Sequence, residues 1–456
     1  MNKGYLLIGI LFCGLFSACQ PEQEPWVDLF NGENLDGWEQ IGGVADYSAE
    51  EDAVVGTTVY DTPNSFLRTK ELYSDFILEY EVKLSAETNS GVQIRSNSFP
   101  EFENGRTHGY QVEIDPSERA WTGGIYDEAR RGWLHPLKDM PEAQTAYKHL
   151  EWNKFRVEAI GDTIKTWVNG IPVSHLDDDR TDKGFIALQV HSIYSTDDVG
   201  IDIRWKNIRI ITDNPRKYAM ETSVPAKHNY NVLTYSQEDW GWEILYDGSS
   251  VEKWRGAKSD KFPFSPLGTG WDVEDGTITI HESGGAESED AGDIVTKELF
   301  SNFELWVDFK ITPGANSGIK YFVDANLNKG TGSSIGLEYQ ILDDSLHPDA
   351  KLGAQEGSRT LASLYDLMKA EGKLPNPVGQ WNHAKIISNG NHVEHWLNGR
   401  KVLEYDRNTP EFQQLVDESK YEQWPGFGTW TEGNILLQDH GNEVHYRNIF
   451  IKKLNP

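Results

Sequence analysis

The segment Gly336-Leu-Glu338-Tyr-Gln340-Ile-Leu-Asp343-Asp344 carries polar residues at alternate positions. In a β-strand alternate residues share a face, so Glu338 and Gln340 point the same way and Asp343 lies at the strand exit. Lys320 follows Asn316-Ser-Gly318 upstream; His347-Pro-Asp349, Ser363-Leu-Tyr365-Asp366 and His440 follow downstream. A polar pair on one strand face is also what a plain solvent-facing sheet shows. What favours a site is that the set recurs. In the first half of the chain Gly109-Tyr-Gln111-Val-Glu113-Ile-Asp115 exchanges the amide and the acid. There Asn89-Ser-Gly91 leads to Arg95, and Thr122-Gly-Gly-Ile-Tyr126 and His191 complete the parallel. Carboxylate, amide, cation, tyrosine and histidine gathered in a concavity are the groups that hold a sugar.

The elements that must position these residues are repeated too. Trp26-Val-Asp-Leu-Phe-Asn-Gly32 returns as Trp242-Glu-Ile-Leu-Tyr-Asp-Gly248. Thr69-Lys-Glu-Leu-Tyr-Ser-Asp-Phe76 returns as Thr296-Lys-Glu-Leu-Phe-Ser-Asn-Phe303. Trp167-Val-Asn-Gly170 matches Trp396-Leu-Asn-Gly399, and Leu188-Gln-Val-His191 matches Leu437-Gln-Asp-His440. Anchors in one order with a drifting offset mean two diverged copies of a domain rather than a solenoid. On this alignment Gln111 falls on Glu338 and His191 on His440. Within each copy the apolar period is two, as in Phe76–Leu84 and Phe303–Ile311, and Asn169-Gly170 and Asn398-Gly399 read as hairpin turns. Short helices are expected only over residues 359–371 and 410–421. Many short strands with turns between them predict an all-β chain of two tandem jelly-roll sandwiches, residues 26–212 and 239–454, joined by a linker over 213–238.

A chain of 456 residues suits two such domains. Its formal charge of −30 and the lack of a compact basic patch argue against nucleic-acid binding. Sixteen Trp suit sugar stacking as well as sandwich cores. Both cysteines stand near the N-terminus. A positive start, the apolar run from Tyr5 to Phe16 and Ser17-Ala18 before Cys19 form the pattern of a lipoprotein signal peptide over residues 1–19. Cys19 is then the acylated residue, followed by a tether over 20–25, and the protein is expected in the bacterial cell envelope.

The strings Asn-Ser-Gly-Ile, Gly-Leu-Glu-Tyr-Gln-Ile-Leu-Asp-Asp, Ser-Leu-Tyr-Asp, Trp-Asn…Trp-Leu-Asn-Gly and Gln-Asp-His-Gly…Arg-Asn-Ile resemble the 3-keto-disaccharide hydrolase family, over nearly all of both copies. The resemblance implies a lectin-like, concanavalin-like jelly roll. It also implies action on a 3-keto-glycoside, supplied by an upstream sugar 3-dehydrogenase. A C3 ketone acidifies the C2 proton, so a base can generate an enolate that expels the C1 substituent, and hydration of the resulting 2-hydroxy-glucal completes a net hydrolysis. That chemistry requires a base, an electrophile at O3 and an acid for the leaving oxygen. His440 or Glu338 is expected as base, Lys320 at O3, and Tyr365 or Asp343 beside the leaving group. A divalent metal held by His440, Glu338 and Asp343 is another way to supply the electrophile. Gln340, His347 and Asp349 would bind substrate, as would Arg95, Gln111, Glu113, Asp115, Tyr126 and His191 in the first copy. That copy lacks the His-Pro-Asp segment. The rival reading is a pair of non-catalytic carbohydrate-binding modules on the same fold.

Overall fold

The computed structural model describes residues 24–265, 270–284, 287–288, 291–327 and 332–455. Cys19 and the signal segment lie outside the described residues. The chain forms two β-sandwiches, each with its own core. The first sandwich pairs a nine-stranded sheet with a seven-stranded one; the second pairs sheets of eight and five strands.

Strand order is the same in both copies. In the first, Phe76–Leu84 lies between Asn153–Ile160 and Asp202–Ile211; in the second, Phe303–Ile311 lies between Asn382–Asn389 and Val444–Lys453. The facing sheets run Ser65–Thr69, Phe185–Val190, Ser90–Asn97, His108–Ile114 and, in the second copy, Ile294–Thr296, Asn434–Leu437, Asn316–Asp324, Ile335–Leu342. The alternation explains the packing. Phe303, Leu305, Val307, Phe309 and Ile311 enter the core, while Trp306 and Lys310 remain partly open on the outer face. The Asn-Gly turns sit where the hairpins need positive φ, with Asn169 at 51° and Asn398 at 48°.

Two expectations need revision. Pro410–Asp417 is helical, but residues 359–371 are not. Leu364 makes bridges to Tyr339 and Met368, and Ala362 and Asp366 adopt φ of 62° and 64°, which no helix accommodates. The segment 213–238 is also more than a spacer. Lys227–His228 adds a parallel strand to Ile171–Asp177, and the Arg156 guanidinium and Glu158 carboxylate bind the backbone of Tyr218 and Met220. A capped turn of helix, Tyr235–Asp239, then leads into the second sandwich.

The first sandwich buries a charged cluster at the end of its concave sheet. Arg131 bridges Asp127 and Asp178, at 2.6 and 2.7 Å, and Tyr110 donates to Asp178. Burial alone would raise the Asp178 carboxyl, but Arg131 outweighs it and holds the group at about 2. A depressed carboxyl contributes stability above its unfolded value near 3.8, and that contribution disappears as pH falls toward 2. Arg131→Met is therefore expected to destabilise the protein by roughly 3–5 kcal/mol at pH 7, with a smaller difference at pH 2. Equal denaturant midpoints for the two proteins at pH 7 would contradict this account.

Candidate active site

The strands Asn316–Asp324 and Ile335–Leu342 pair antiparallel, with Lys320 opposite Glu338 and Gly318 opposite Gln340. Ile319, Tyr321, Leu337, Tyr339 and Ile341 fill the core. Asn316, Gly318, Lys320, Glu338 and Gln340, on the alternate positions, therefore share the concave face. Lys320 and Glu338 are only 5% and 3% exposed, and their charged atoms are 3.5 Å apart.

This pair is braced on both sides. The Lys320 ammonium donates to the Ser333 hydroxyl at 2.5 Å, and Ser333 donates to Asp293 at 2.6 Å. Glu287 lies 3.9 Å from the ammonium and accepts from Gln438. Burial raises the Glu338 carboxyl above its ordinary range even though Lys320 and Lys420 pull it down. Burial would lower Lys320, but Glu338, Glu287 and Asp293 outweigh it and keep the amine charged. Gly318 leaves the room this arrangement needs: a Cβ there would come within 2.3 Å of a Glu338 carboxylate oxygen.

Tyr365 and His440 close the concavity. The Tyr365 backbone amide donates to the Glu338 carbonyl, so the phenol rises beside that carboxylate. Its hydroxyl donates to Asp349 at 2.9 Å, and Arg359 fixes Asp349 and Asp366 together. Burial, Glu338 and Asp349 push the phenol well above its ordinary value, so it keeps its proton. Asn316 links the amide and the imidazole: it accepts from Gln340 at 3.3 Å, and its side-chain nitrogen lies 3.3 Å from His440 Nε2. The His347 ring stands edge-on to His440, centroids 6.0 Å apart, and its Nδ1 accepts from the Asp349 amide. Burial and His440 lower the His347 imidazole.

Two expected residues are turned elsewhere. Asp343 accepts from the Gly314, Ser345 and Leu346 amides and from the Ser345 hydroxyl, so it organises a turn rather than facing a leaving group. Among the described residues His440, Glu338 and Asp343 do not gather their ligand atoms as one metal site. The only such grouping there, His392, Glu394 and Glu404, lies on the opposite sheet. Arg95 is the other correction. Gly91 pairs with Glu113 as Gly318 pairs with Gln340, so the residue matching Lys320 is Gln93. Arg95 instead matches Phe322, each at a bulge with positive φ (47° and 52°). It is buried and donates to the Ser74 and Gly161 carbonyls and to Asp75.

Gln111 occupies the Glu338 position, and a Cβ on Gly91 would meet its side chain at 2.4 Å. In place of the charged pair, Gln93 donates to Gln111 at 2.7 Å, and Gln111 donates to Glu113 at 2.9 Å. Burial raises the Glu113 carboxyl to about 7, opposed by hydrogen bonds from Asn89 and Gln111. Tyr126 lies opposite Gln111 in register, as Tyr365 stands by Glu338. His191 follows the Phe185–Val190 strand, with Nδ1 at 2.7 Å from the Ser192 carbonyl. Asp115 caps a turn, accepting from the Ser117 amide, and pairs with Arg119.

Sequence reading missed Glu287, Asp293 and Lys420. Lys420 is solvent-exposed as a residue, yet its ammonium lies 4.2 Å above the Tyr365 ring. Its enclosed surroundings, together with Lys320 and Arg359, lower it, against the pull of Glu338 and Glu287. The only sequence signal was a lysine closing the turn after a short helix.

Gly318→Ala should keep the sandwich folded while displacing the Glu338 carboxylate. We expect turnover to fall by about 10-fold or more with the thermal midpoint little changed, since a displaced catalytic group costs rate before stability. Parent-like turnover in the folded variant would mean that the Glu338 position does not matter.

The family comparison agrees with the repeat. A model of the 3-keto-alpha-glucoside-1,2-lyase-like domain matches residues 25–211 and again 241–452. A Bacteroides thetaiotaomicron protein named 3-keto-disaccharide hydrolase is 38% identical over 235 residues, covering 47% of this chain and 79% of that protein. A solved Parabacteroides distasonis structure, provisionally assigned as a glycosyl hydrolase, is 30% identical with a TM-score of 0.43. It covers 50% of this chain and all of that one. A second structure from the same organism is 24% identical with a TM-score of 0.34, over 47% of this chain and 99% of that chain. The chain thus belongs to the 3-keto-α-glucoside-1,2-lyase-like family and carries two copies of its jelly-roll domain.

Proposed function

We propose that the second sandwich cleaves the glycosidic bond of 3-keto-glycosides by C2 proton abstraction, elimination and hydration. The observation that carries this reading is the Lys320–Glu338 pair buried on the concave sheet, with the carboxyl raised by its surroundings. A carboxylate of raised basicity is a better proton acceptor than an exposed one. Glu338 takes the C2 proton, and the electron pair moves to O3 of the ketone, where Lys320 and Lys420 supply positive charge. The C1–O bond then breaks, and the aglycone oxygen takes the proton that Glu338 removed from C2, which restores the carboxylate. Tyr365, which keeps its proton, would turn its hydroxyl from Asp349 to donate a hydrogen bond to that oxygen. Water adding across C1=C2 restores a free 3-keto sugar. His440, steadied by Asn316, and Gln340 orient the ring hydroxyls. A reaction that oxidises the C3 hydroxyl must supply the substrate.

The first sandwich reads differently. Gln93 and Gln111 stand where the cation and carboxylate stand in the second, so that copy holds sugar without turning it over. The proposal also includes acylation at Cys19, which would fix the protein to the cell envelope through its N-terminal lipid. Cys19→Ala is expected to release the protein from the membrane fraction, and unchanged metabolic lipid labelling of the variant would rule this anchor out.

Glu338→Gln should lower turnover of a 3-keto-glucoside at least ~100-fold, the scale of losing a general base. His191→Ala in the first copy should leave it nearly unchanged. Because Glu338 acts ionised, kcat/KM should rise with pH through a value above the ordinary carboxylate range. Lys320 favours the ionised form, so Lys320→Met should move that rise to higher pH. Full activity of folded Glu338→Gln would eliminate this mechanism and leave a carbohydrate-binding protein.

A further inference from the structure

We propose that the cleft between the two sandwiches is a second carbohydrate site, which holds an uncharged pyranoside against a Trp306–Lys385–Trp396 row. This goes beyond the reaction proposed for the concave face and does not depend on it. The cleft has a volume of about 720 Å³, within the ~300–1,000 Å³ range of small-molecule sites. It lies on the outer sheet of the second sandwich, the opposite side from Lys320 and Glu338.

Its floor follows from strand register. Trp306 is directly opposite Lys385, and Lys385 is directly opposite Trp396, so the three side chains form a line across three strands. Both indole N–H groups are committed, Trp306 to Glu304 at 2.8 Å and Trp396 to Glu394 at 2.7 Å, which fixes the ring planes. Phe99 and Phe102 of the first sandwich form part of the opposite wall. The Lys385 ammonium lies 3.7 Å from the Trp396 ring centroid and 5.9 Å from that of Phe102. Among the described residues it has no hydrogen-bond acceptor and no ion-pair partner within 4 Å. An ammonium has three donors, and the acceptors for those of Lys385 must come from what fills the cleft. Burial accordingly lowers its basicity.

The first copy shows what this face looks like when it is closed. There the same register positions hold Glu79, Arg156 and Trp167. Glu79 pairs with Lys154, Arg156 and Arg209, and Arg156 also donates to the Tyr218 carbonyl of the connecting segment. In the second copy Trp replaces Glu79 and Lys replaces Arg156, and a cavity stands over the row instead of a packed segment. Packing for stability alone would fill such a space. The partly open Trp306 meets the apolar C–H face of a sugar ring, and the Lys385 ammonium, which covers the buried Trp396 face, meets its hydroxyl oxygens. Acidic and basic side chains line the cleft in nearly equal number, which favours a neutral ligand over an anionic one.

Calorimetric titration with maltose, cellobiose and lactose, none of which carries a ketone, tests the site on the full protein. At least one should saturate it with a millimolar Kd, as few-contact sugar sites do (about −4 kcal/mol). Lys385→Met and Trp306→Ala should each weaken that binding about 10-fold or more, with parent-like thermal midpoints, while Glu338→Gln should bind as the parent does. The inference is overturned if none of the three sugars binds saturably. It is equally overturned if both cleft variants, folded, bind like the parent, or if Glu338→Gln alone abolishes binding.

Discussion

An ammonium and a carboxylate buried side by side on a β-sheet need the surrounding structure to hold them. Desolvating Lys320 and Glu338 costs several kcal/mol each, and their attraction offsets this only if the geometry is kept and the remaining donors are satisfied. The second sandwich meets both conditions. Cross-strand register sets the pair, Gly318 keeps space for the carboxylate, and Ser333, Asp293 and Glu287 surround the amine. The braces come from two parts of the chain, Glu287 and Asp293 from one and Ser333 from the other. In the proposed reaction the loops around the concave face would be part of the chemistry, since they would fix where positive charge lies when an enolate forms.

The first sandwich shows the same backbone freed from that requirement. With Gln93 and Gln111 at the paired positions, the face has a neutral amide relay to Glu113. Burial then raises Glu113 to about 7 with no cation beside it. The copies share strand order, cross-strand register and the glycine beneath the side chain. They differ in charge at three positions, where Lys320, Glu338 and Gln340 correspond to Gln93, Gln111 and Glu113. The two faces thus differ in charge without a change of fold.

The sandwich was legible in the sequence because local rules and the buried pattern agree there. Alternation gave the strands, Asn-Gly gave the hairpins, and the internal repeat gave the domain count. The shared face of Glu338 and Gln340 was legible for the same reason, since alternation on one strand sets it. Arg95 is the nearest cation after Asn89-Ser-Gly91, but equal spacing from the glycine puts Gln93 opposite Gln111 as Lys320 is opposite Glu338, and Arg95 falls at the bulge beyond. Asp343 was misread because a carboxylate at a strand exit serves a turn as readily as a substrate. Glu287 and Lys420 approach Lys320 and Glu338 from distant loops, and no spacing rule reaches that far.

The segment from Asn214 to Asp239 has a mechanical role. It is bonded along its length to the first sandwich, through Arg156, Glu158 and Ile171–Asp177. Asn231 then exchanges two hydrogen bonds with Asn448 in the last strand of the second. Arg447 meets Asp179, and Arg400 meets Glu101. A strap fastened to both bodies transmits torque instead of absorbing it. The two concave faces are consequently held at one orientation, like two sockets on a common bracket. If both faces hold sugar as proposed, a saccharide long enough to reach the two would have to adopt the curvature that the bracket dictates, so selection among glycans would rest on backbone shape as well as on each sugar ring.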